Sequence, residues 1–332
     1  MIRKKADVTV IGSGSWATAI VKLLSSNTEK IGWYIREKEI IDHIGKHNHN
    51  PTYLSAVNLD TDKLILTRNI NKAVSLSDIL IFVVPSAFLK TTIKKLKTDL
   101  SGKIVCSAIK GIVPEDNMIV GEFFNKKYNV PYENLVVLTG PTHAEEIAME
   151  KLSYLTIASL RKEKAEKMAS LLGNFYLRTI VSDDIFGTEY AAVLKNIYAI
   201  AAGICYGLGY GDNFLAVLLA NSATEMNRFI DEVYTNNREI TSSAYLGDLM
   251  VTGYSKFSRN RMFGNMIGKG SSVRFARMEM IMVAEGYYAS ECIYKINETL
   301  KVSMPIADTV YRILYEKANP AREVEKMTVI LK

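Results

Sequence analysis

Hydrophobic and polar positions change their rhythm near residue 182 of the chain. Before that point, short β-branched runs ("VTVIG", "IGWYIR", "LILT", "DILIFVVP", "KIVCSAI", "NLVVLTG", "YLTIAS", "FYLRTIV") alternate with segments whose apolar residues recur at helical spacing. The runs read as buried strands and the segments between them as amphipathic helices, so their alternation predicts a doubly wound, mostly parallel sheet of Rossmann-like α/β type. Beyond it the strand pattern stops. Helical periods run from about 184 to 206, 212 to 235 and 271 to 299, separated by glycine-rich loops, and the second half reads as all-α. The expected division is a domain at 1–183 followed by a helical domain at 184–332. No fixed-period repeat and no low-complexity tract interrupts it.

The first strand runs straight into "GSGSWATAI", residues 12–20. Strand, then G-x-G-x-x-A, then helix is the context in which Gly12 makes the tight turn, Gly14 lets a pyrophosphate approach the backbone, and Ala17 permits close helix packing. The N–H groups opening the helix, at its positive end, would hold the phosphates. The same motif also occurs as an ordinary glycine turn; its position after the first strand of an α/β domain favours dinucleotide binding, with NADPH or NADH as the expected cofactor. The second strand ends at Arg36 and Glu37, roughly 20 residues after the second glycine, where a ribose would lie. Successive residues at a strand end face opposite ways, so one of the two is expected to reach it. Arginine there suits a 2′-phosphate or, read from the residues alone, a solvated surface pair with Glu37, and NADPH is expected to serve at least as well as NADH.

Further chemistry sits at strand ends and in the helical half. "VVPSAFLK" puts Pro85 and Ser86 after a buried strand, where they read equally as a ligand turn or as a helix start. Lys110 ends "SAIK"; a lysine there is most often a loop charge. In "LTGPTHAEEIA", Thr142 and Glu145 have capping-box spacing, and Gly140 with the N–H groups nearby offers donors to a ligand. Lys195 is the most informative residue. It lies in "YAAVLKNIYAIAAGI", a helix apolar almost all round, and a buried ammonium is costly unless it is paired or lines a cavity. Asn196 and Glu189 are placed to share that cavity. Asp248 in "LGDL" reads as a helix cap or as a partner. Ser258, Arg259, Asn260 and Arg261 read as a solvated loop or as a phosphate cradle. His43, His47 and His49, close together before Pro51, read as a polar loop, and no metal is expected.

Composition narrows the class. With 332 residues, 48% of them hydrophobic, the chain can fill two cores. A net charge of +6, carried by scattered lysines and arginines, is too mild and too dispersed for a nucleic-acid binder and suits a small phosphorylated ligand. Cys106, Cys205 and Cys292 sit singly in apolar surroundings and read as reduced core thiols. The basic start "MIRKKADVTV" carries no apolar stretch of the kind a signal peptide or membrane span needs, so a cytoplasmic protein without stable membrane insertion is expected.

Taken in order, "GSGSWATA", "VVPS", "KGI", "GPTHAEEIA", "LKNIYAIAAGI", "LGDL", "SRNRMFG" and "AEGY" give the chain a resemblance to the bacterial type of NAD(P)-dependent glycerol-3-phosphate dehydrogenase over nearly its whole length. The resemblance implies an oxidoreductase, usually a homodimer, that interconverts dihydroxyacetone phosphate and sn-glycerol 3-phosphate and feeds glycerophospholipid synthesis. It implies Lys195 as the catalytic lysine. It further implies Lys110, Gly140, Thr142, Lys195, Asp248, Ser258, Arg259 and Asn260 at the substrate. At the cofactor it implies Gly12, Gly14, Ser15, Trp16, Arg36, Lys110, Ala144, Arg259, Val283 and Glu285. The chain departs from the family where "ANSA" replaces the usual "TRGL", leaving Asn221 in place of an arginine, and where Ala17 replaces the commoner glycine. The rival readings are a related two-domain hydroxy-acid dehydrogenase, which would need a carboxylate clamp, and a non-catalytic dinucleotide sensor, which has no reason to bury Lys195.

Overall fold

Every apolar run of the first half forms a strand in the computed structural model, which describes residues 5–280 and 282–332. The strands are β1 (Val8–Ile11), β2 (Ile31–Tyr34), β3 (Leu64–Thr67), β4 (Ile79–Phe82), β5 (Ile104–Ser107), β6 (Ile112–Val113), β7 (Met118–Ile119), β8 (Leu135–Thr139), β9 (Ser153–Ala158) and β10 (Leu177–Ser182). Two compact units result. The first comprises the chain up to Ile109 together with Val120–Ile185; the second comprises Lys110–Ile119 and Phe186–Lys332.

In the first unit, eight strands form one sheet in the order β10-β9-β8-β5-β4-β1-β2-β3, parallel throughout except between β8 and β9. All four residues of β1, β2 and β4 are buried, as expected when helices cover both faces of a parallel sheet. Those helices are α1 (Ser15–Ser25), α2 (Lys38–His47), α3 (Ile70–Leu76), α4 (Leu89–Ile93), α5 (Val120–Tyr128), α6 (Ala144–Ala148) and α7 (Lys162–Leu172). β1 lies between β4 and β2, where the strand order reverses, and ligands of such sheets bind beyond the strand ends at that point. The glycine loop begins there.

The second unit holds α8 (Ile185–Gly207), α9 (Asp212–Val233), α10 (Asp248–Tyr254), α11 (Arg259–Gly268), α12 (Val273–Glu279), α13 (Glu285–Leu300), α14 (Pro305–Tyr315) and α15 (Pro320–Thr328). A π-helical turn, Ser243–Gly247, leads into α10. The single helix expected from 271 to 299 is in fact two. Ser272 caps α12 through its hydroxyl, Met280 is extended at φ −76 and ψ 112, and α13 starts afresh at Glu285; both pieces keep the same apolar period, which conceals the break. Pro305 and Pro320 open their helices at the first position, where no N–H is needed. The hairpin β6–β7 joins this unit through Ile112 and Ile119, both buried among residues of α8.

α8 and α11 meet backbone to backbone. A Cβ placed on Gly264 would lie 2.1 Å from the Ile200 carbonyl oxygen, and one on Gly203 would lie 2.1 Å from that of Arg261. Gly207 and Gly268, one turn further on, repeat the contact. Any side chain here would force the helices apart. Among the described residues no helix is long and apolar enough to cross a membrane.

Candidate active site

The glycine loop of the first unit has the shape its sequence demands. Gly12 adopts φ +135, and a Cβ there would stand 2.1 Å from the Val83 carbonyl oxygen, so only glycine fits. Its own carbonyl accepts from Trp33 Nε1 at 2.7 Å. Gly14 precedes α1 without a side-chain cap, so the first N–H groups of that helix are not closed off by one. Ser15 is buried and Trp16 half-buried in the first turn. Asn50, fully buried, braces the loop from behind: its Nδ2 donates to the Ser13 carbonyl and to Thr18 Oγ1, both at 3.0 Å. Its Oδ1 accepts from the backbone N–H groups of Thr52 and Tyr53.

Arg36 and Glu37 do not face opposite ways. Arg36 Nε and Nη2 lie 3.0 and 2.9 Å from Glu37 Oε1, while Ser13 Oγ donates to Glu37 Oε2 at 3.0 Å. β2 ends at Tyr34, so the strand alternation no longer applies two residues later, and Glu37 turns toward the loop as it enters α2. The Arg36 side chain is 74% exposed. The histidine segment also differs from the loop expected for it, because His43 and His47 belong to α2.

At the third strand-to-helix junction, Gly140 follows β8 with φ +114, and Thr142 and Ala144 are buried beside it. The expected capping box is absent. His143, not Thr142, is the N-cap of α6, and Thr142 Oγ1 donates instead to the Gly140 carbonyl at 3.3 Å. The register is one residue later than the spacing suggested. Pro85 and Ser86 open a short 3₁₀ turn, as the helix-start reading holds.

In the second unit, Lys195 sits in the middle of α8 with only 4% of its surface exposed. Its Nζ is 2.5 Å from Asp248 Oδ2, and Lys110 Nζ approaches the same oxygen at 3.6 Å. Asp248 is buried too, but it is not a cap: Gly247 holds that position and Asp248 is the first residue of α10. The positive end of α10 favours its negative charge. Burial pushes the Lys195 ammonium down to about 7, with Asp248 opposing the shift and Lys110 adding to it. A lysine that titrates near neutrality is poised to exchange a proton.

A chain of amides fixes the surroundings. Asn196 Nδ2 donates to the Lys110 carbonyl at 2.7 Å, Asn260 Nδ2 to Asn196 Oδ1 at 2.8 Å, and the Gly286 N–H to Asn260 Oδ1 at 2.9 Å. The hairpin, α8, α11 and the start of α13 are thereby tied together around Lys110 and Lys195. Glu285 opens α13 and Val283, half-buried, precedes it. The "SRNR" residues do not make one cradle. Ser258 Oγ accepts the Arg261 N–H as cap of α11, and the Arg261 guanidinium stacks over the Tyr206 ring at 4.7 Å. Arg259 remains, half-buried at the head of the helix.

Two contributors escaped sequence reasoning. Thr252 Oγ1 donates to the Asp248 carbonyl at 2.6 Å, securing the turn that carries the carboxylate; its spacing of four from Asp248 was the available signal. The bond from Ser13 to Glu37 had none.

The description "NAD-dependent glycerol-3-phosphate dehydrogenase N-terminus" matches residues 7–165, and its C-terminus counterpart matches 184–325. A glycerol-3-phosphate dehydrogenase (NAD(P)+) of Exiguobacterium sp. is 36% identical over 324 residues, 97% of this chain and 95% of its own. One from Clostridium botulinum is 32% identical over 323 residues, 97% of each chain. The crystal structure of glycerol-3-phosphate dehydrogenase from Coxiella burnetii is similar with a TM-score of 0.89 at 26% identity, covering 98% of this chain and 99% of that one. D-mandelate dehydrogenase with NADH, at 16% identity and a TM-score of 0.59 over 94% of this chain and 98% of that one, shares the fold alone.

Proposed function

Because the chain belongs to the NAD-dependent glycerol-3-phosphate dehydrogenase family, we propose that it interconverts dihydroxyacetone phosphate and sn-glycerol 3-phosphate, with Lys195 as acid–base group and Arg259 as phosphate anchor. The observation that carries this assignment is the buried Lys195–Asp248 pair, an ammonium held at 2.5 Å and titrating near neutrality. The Gly12–Ala17 turn fits a dinucleotide, since Gly12 packs its backbone against Val83 while at Gly14 nothing lies within 4 Å of where a Cβ would stand, leaving the backbone open to a pyrophosphate. NADH or NADPH, when bound, supplies the hydride for the ketone carbon. By the resemblance, Gly12, Gly14 and Ser15 would hold the pyrophosphate, with Trp16, Arg36, Lys110, Ala144, Arg259, Val283 and Glu285 as the further cofactor contacts, and Gly140, Thr142, Lys110, Ser258 and Asn260 would contact the substrate.

As the carbonyl oxygen gains negative charge, Lys195 Nζ donates a hydrogen bond to it and then gives up its proton, which completes the alcohol. In the reverse direction the neutral amine takes the hydroxyl proton. Asp248 keeps Nζ in place and favours the charged form. Arg259 grips the phosphate, and this remote binding energy positions the carbon that reacts. The proposal includes a cytoplasmic homodimer, as the resemblance implies; three buried, unpaired cysteines suit a reducing compartment.

The deciding experiment follows oxidation of NADH or NADPH with dihydroxyacetone phosphate and with unphosphorylated dihydroxyacetone. Fast turnover confined to the phosphorylated ketone supports the proposal; a clear preference for a 2-keto acid would overturn it. Proton transfer also sets a pH signature. Lys195 is charged below about 7 and neutral above it, so reduction should fade as pH rises through that value, while oxidation should gain. Rate profiles that run parallel in both directions across the neutral range would remove Lys195 as the proton carrier. A third expectation concerns Glu37. Replacing it with Gln releases Arg36 from its ion pair, and kcat/KM for NADPH should rise about tenfold, or ~1.4 kcal/mol, relative to NADH. An unchanged ratio would mean that neither side chain reads the ribose.

A further inference from the structure

The last turn of α2 and the residues after it gather three imidazoles that the proposed reaction does not use. His43 and His47 are one helical turn apart and share a face. Asn48 ends the helix in the left-handed conformation, φ 59 and ψ 23, and this bend brings His49 back alongside. Ring centroids are 4.4 Å apart for His43 and His47, 4.6 Å for His43 and His49, and 6.3 Å for His47 and His49. His43 Nε2 and His49 Nε2 stand 3.3 Å from each other.

We propose that His43, His47 and His49 form a site for a divalent transition-metal ion of the zinc class. A tetrahedral ion with metal–nitrogen bonds of about 2.0–2.1 Å holds its ligand nitrogens about 3.3 Å apart. The His43–His49 pair already has that bite. His49 Nδ1 lies 3.4 Å from the Asn50 carbonyl oxygen, and an Nδ1–H directed there leaves the Nε2 lone pair facing His43, the second partner that metal-binding histidines normally have. The third ligand needs a small adjustment. No three metal-ligating side chains among the described residues converge on one point as they stand, so the exposed His47 ring would have to turn about its side-chain bonds to complete the set.

The donor set suits an ion with a taste for nitrogen. The C-terminal end of α2 carries the negative pole of the helix, which lies beside the rings. Asp42 is engaged by Lys38 at 2.6 Å, so the donors are imidazoles without a carboxylate; such a set selects zinc, nickel or copper over magnesium or calcium. The ion would sit one residue from the brace of the glycine loop. Asn50, next to His49, holds the Ser13 carbonyl and Thr18 Oγ1. Clamping 43–49 therefore stiffens the brace behind the dinucleotide loop. The role is regulatory or stabilising, since the ion touches no reacting atom.

The test titrates zinc chloride into the full chain, freed of any affinity tag, by calorimetry and by melting. One ion per chain and a raised Tm are expected. The variant H43Q/H49Q should bind at least about tenfold more weakly, on the scale of losing supporting groups at a metal site, and should lose the metal-induced rise in Tm. Its metal-free Tm and its NADH turnover should stay at native values. Equal zinc affinity in native and variant would place the ion elsewhere, and absence of any heat or melting shift in the native chain would overturn the site. A reading that needs no variant comes from cobalt(II): intense visible bands of a four-coordinate nitrogen site support it, and the weak spectrum of a six-coordinate oxygen-bound ion refutes it. A shared proton between His43 and His49, the simplest other account of their 3.3 Å separation, gives none of these signals.

Discussion

Lys195→Ala is expected to lower kcat for dihydroxyacetone phosphate by roughly 10²–10⁴, the scale of losing a positioned general acid. Dinucleotide affinity should change little, because Lys195 is not among the residues proposed to contact the cofactor. The loss should not be recovered at lower pH, since the group that donates the proton is itself gone. Asp248→Asn provides the complementary measurement. Removing a carboxylate that raises the Lys195 pKa leaves burial and Lys110 to lower it further, so the pH at which reduction fades should move down. Steady-state kinetics with fluorescence titration of NADH separates the two parameters. A folded Lys195→Ala protein with near-native turnover would end the acid–base assignment.

Arg259→Ala is expected to lower kcat/KM for dihydroxyacetone phosphate by about 2 to 4 kcal/mol, on the order of a lost charge-assisted pair. Unphosphorylated dihydroxyacetone should scarcely register the change. The structure sharpens this expectation, because the other arginine of the loop is stacked on Tyr206 and the Ser258 hydroxyl accepts a cap bond, which leaves Arg259 as the cation of "SRNR" at the head of α11. Arg259→Lys should restore part of the loss, as a point charge without the planar fork. Equal losses with both ketones would mark Arg259 as structural or as a dinucleotide contact.

The two features most legible in the sequence are those where a local rule admits no alternative. Gly12 was readable because its φ of +135 and its distance to Val83 exclude every side chain. Lys195 was readable because a charge inside an apolar helix must be accounted for. The strand runs were readable for the same reason, since a parallel sheet buries both faces. What stayed hidden depends on contacts between distant residues or on shifts of a single position. Nothing in "KGIVPEDNMIV" says that residues 110–119 join helices far downstream, nor that Lys110 will share a carboxylate with Lys195. The capping box failed by one residue at His143, and the Arg36–Glu37 expectation failed because β2 stops at Tyr34. The gap at Met280 was masked by an unbroken apolar period, and the histidines look like loop residues until α2 is seen to run to His47.

The glycine seam between α8 and α11 turns the helical unit into a gauge of fixed length. One helix carries Lys195 and the other begins at Arg259, and with main chain lying on main chain there is no side-chain bulk to trim, while adding any would part the helices. The offset between the two cations is therefore not adjustable by the substitutions that usually retune a pocket. The glycines recur at every fourth residue, so a slip that kept the seam closed would have to move it by four residues, about 6 Å. A single extra carbon in the substrate lengthens it by far less than such a step. On the proposed reading, the span between the carbonyl held at Lys195 and the phosphate held at Arg259 is indexed by backbone register and shielded from gradual drift.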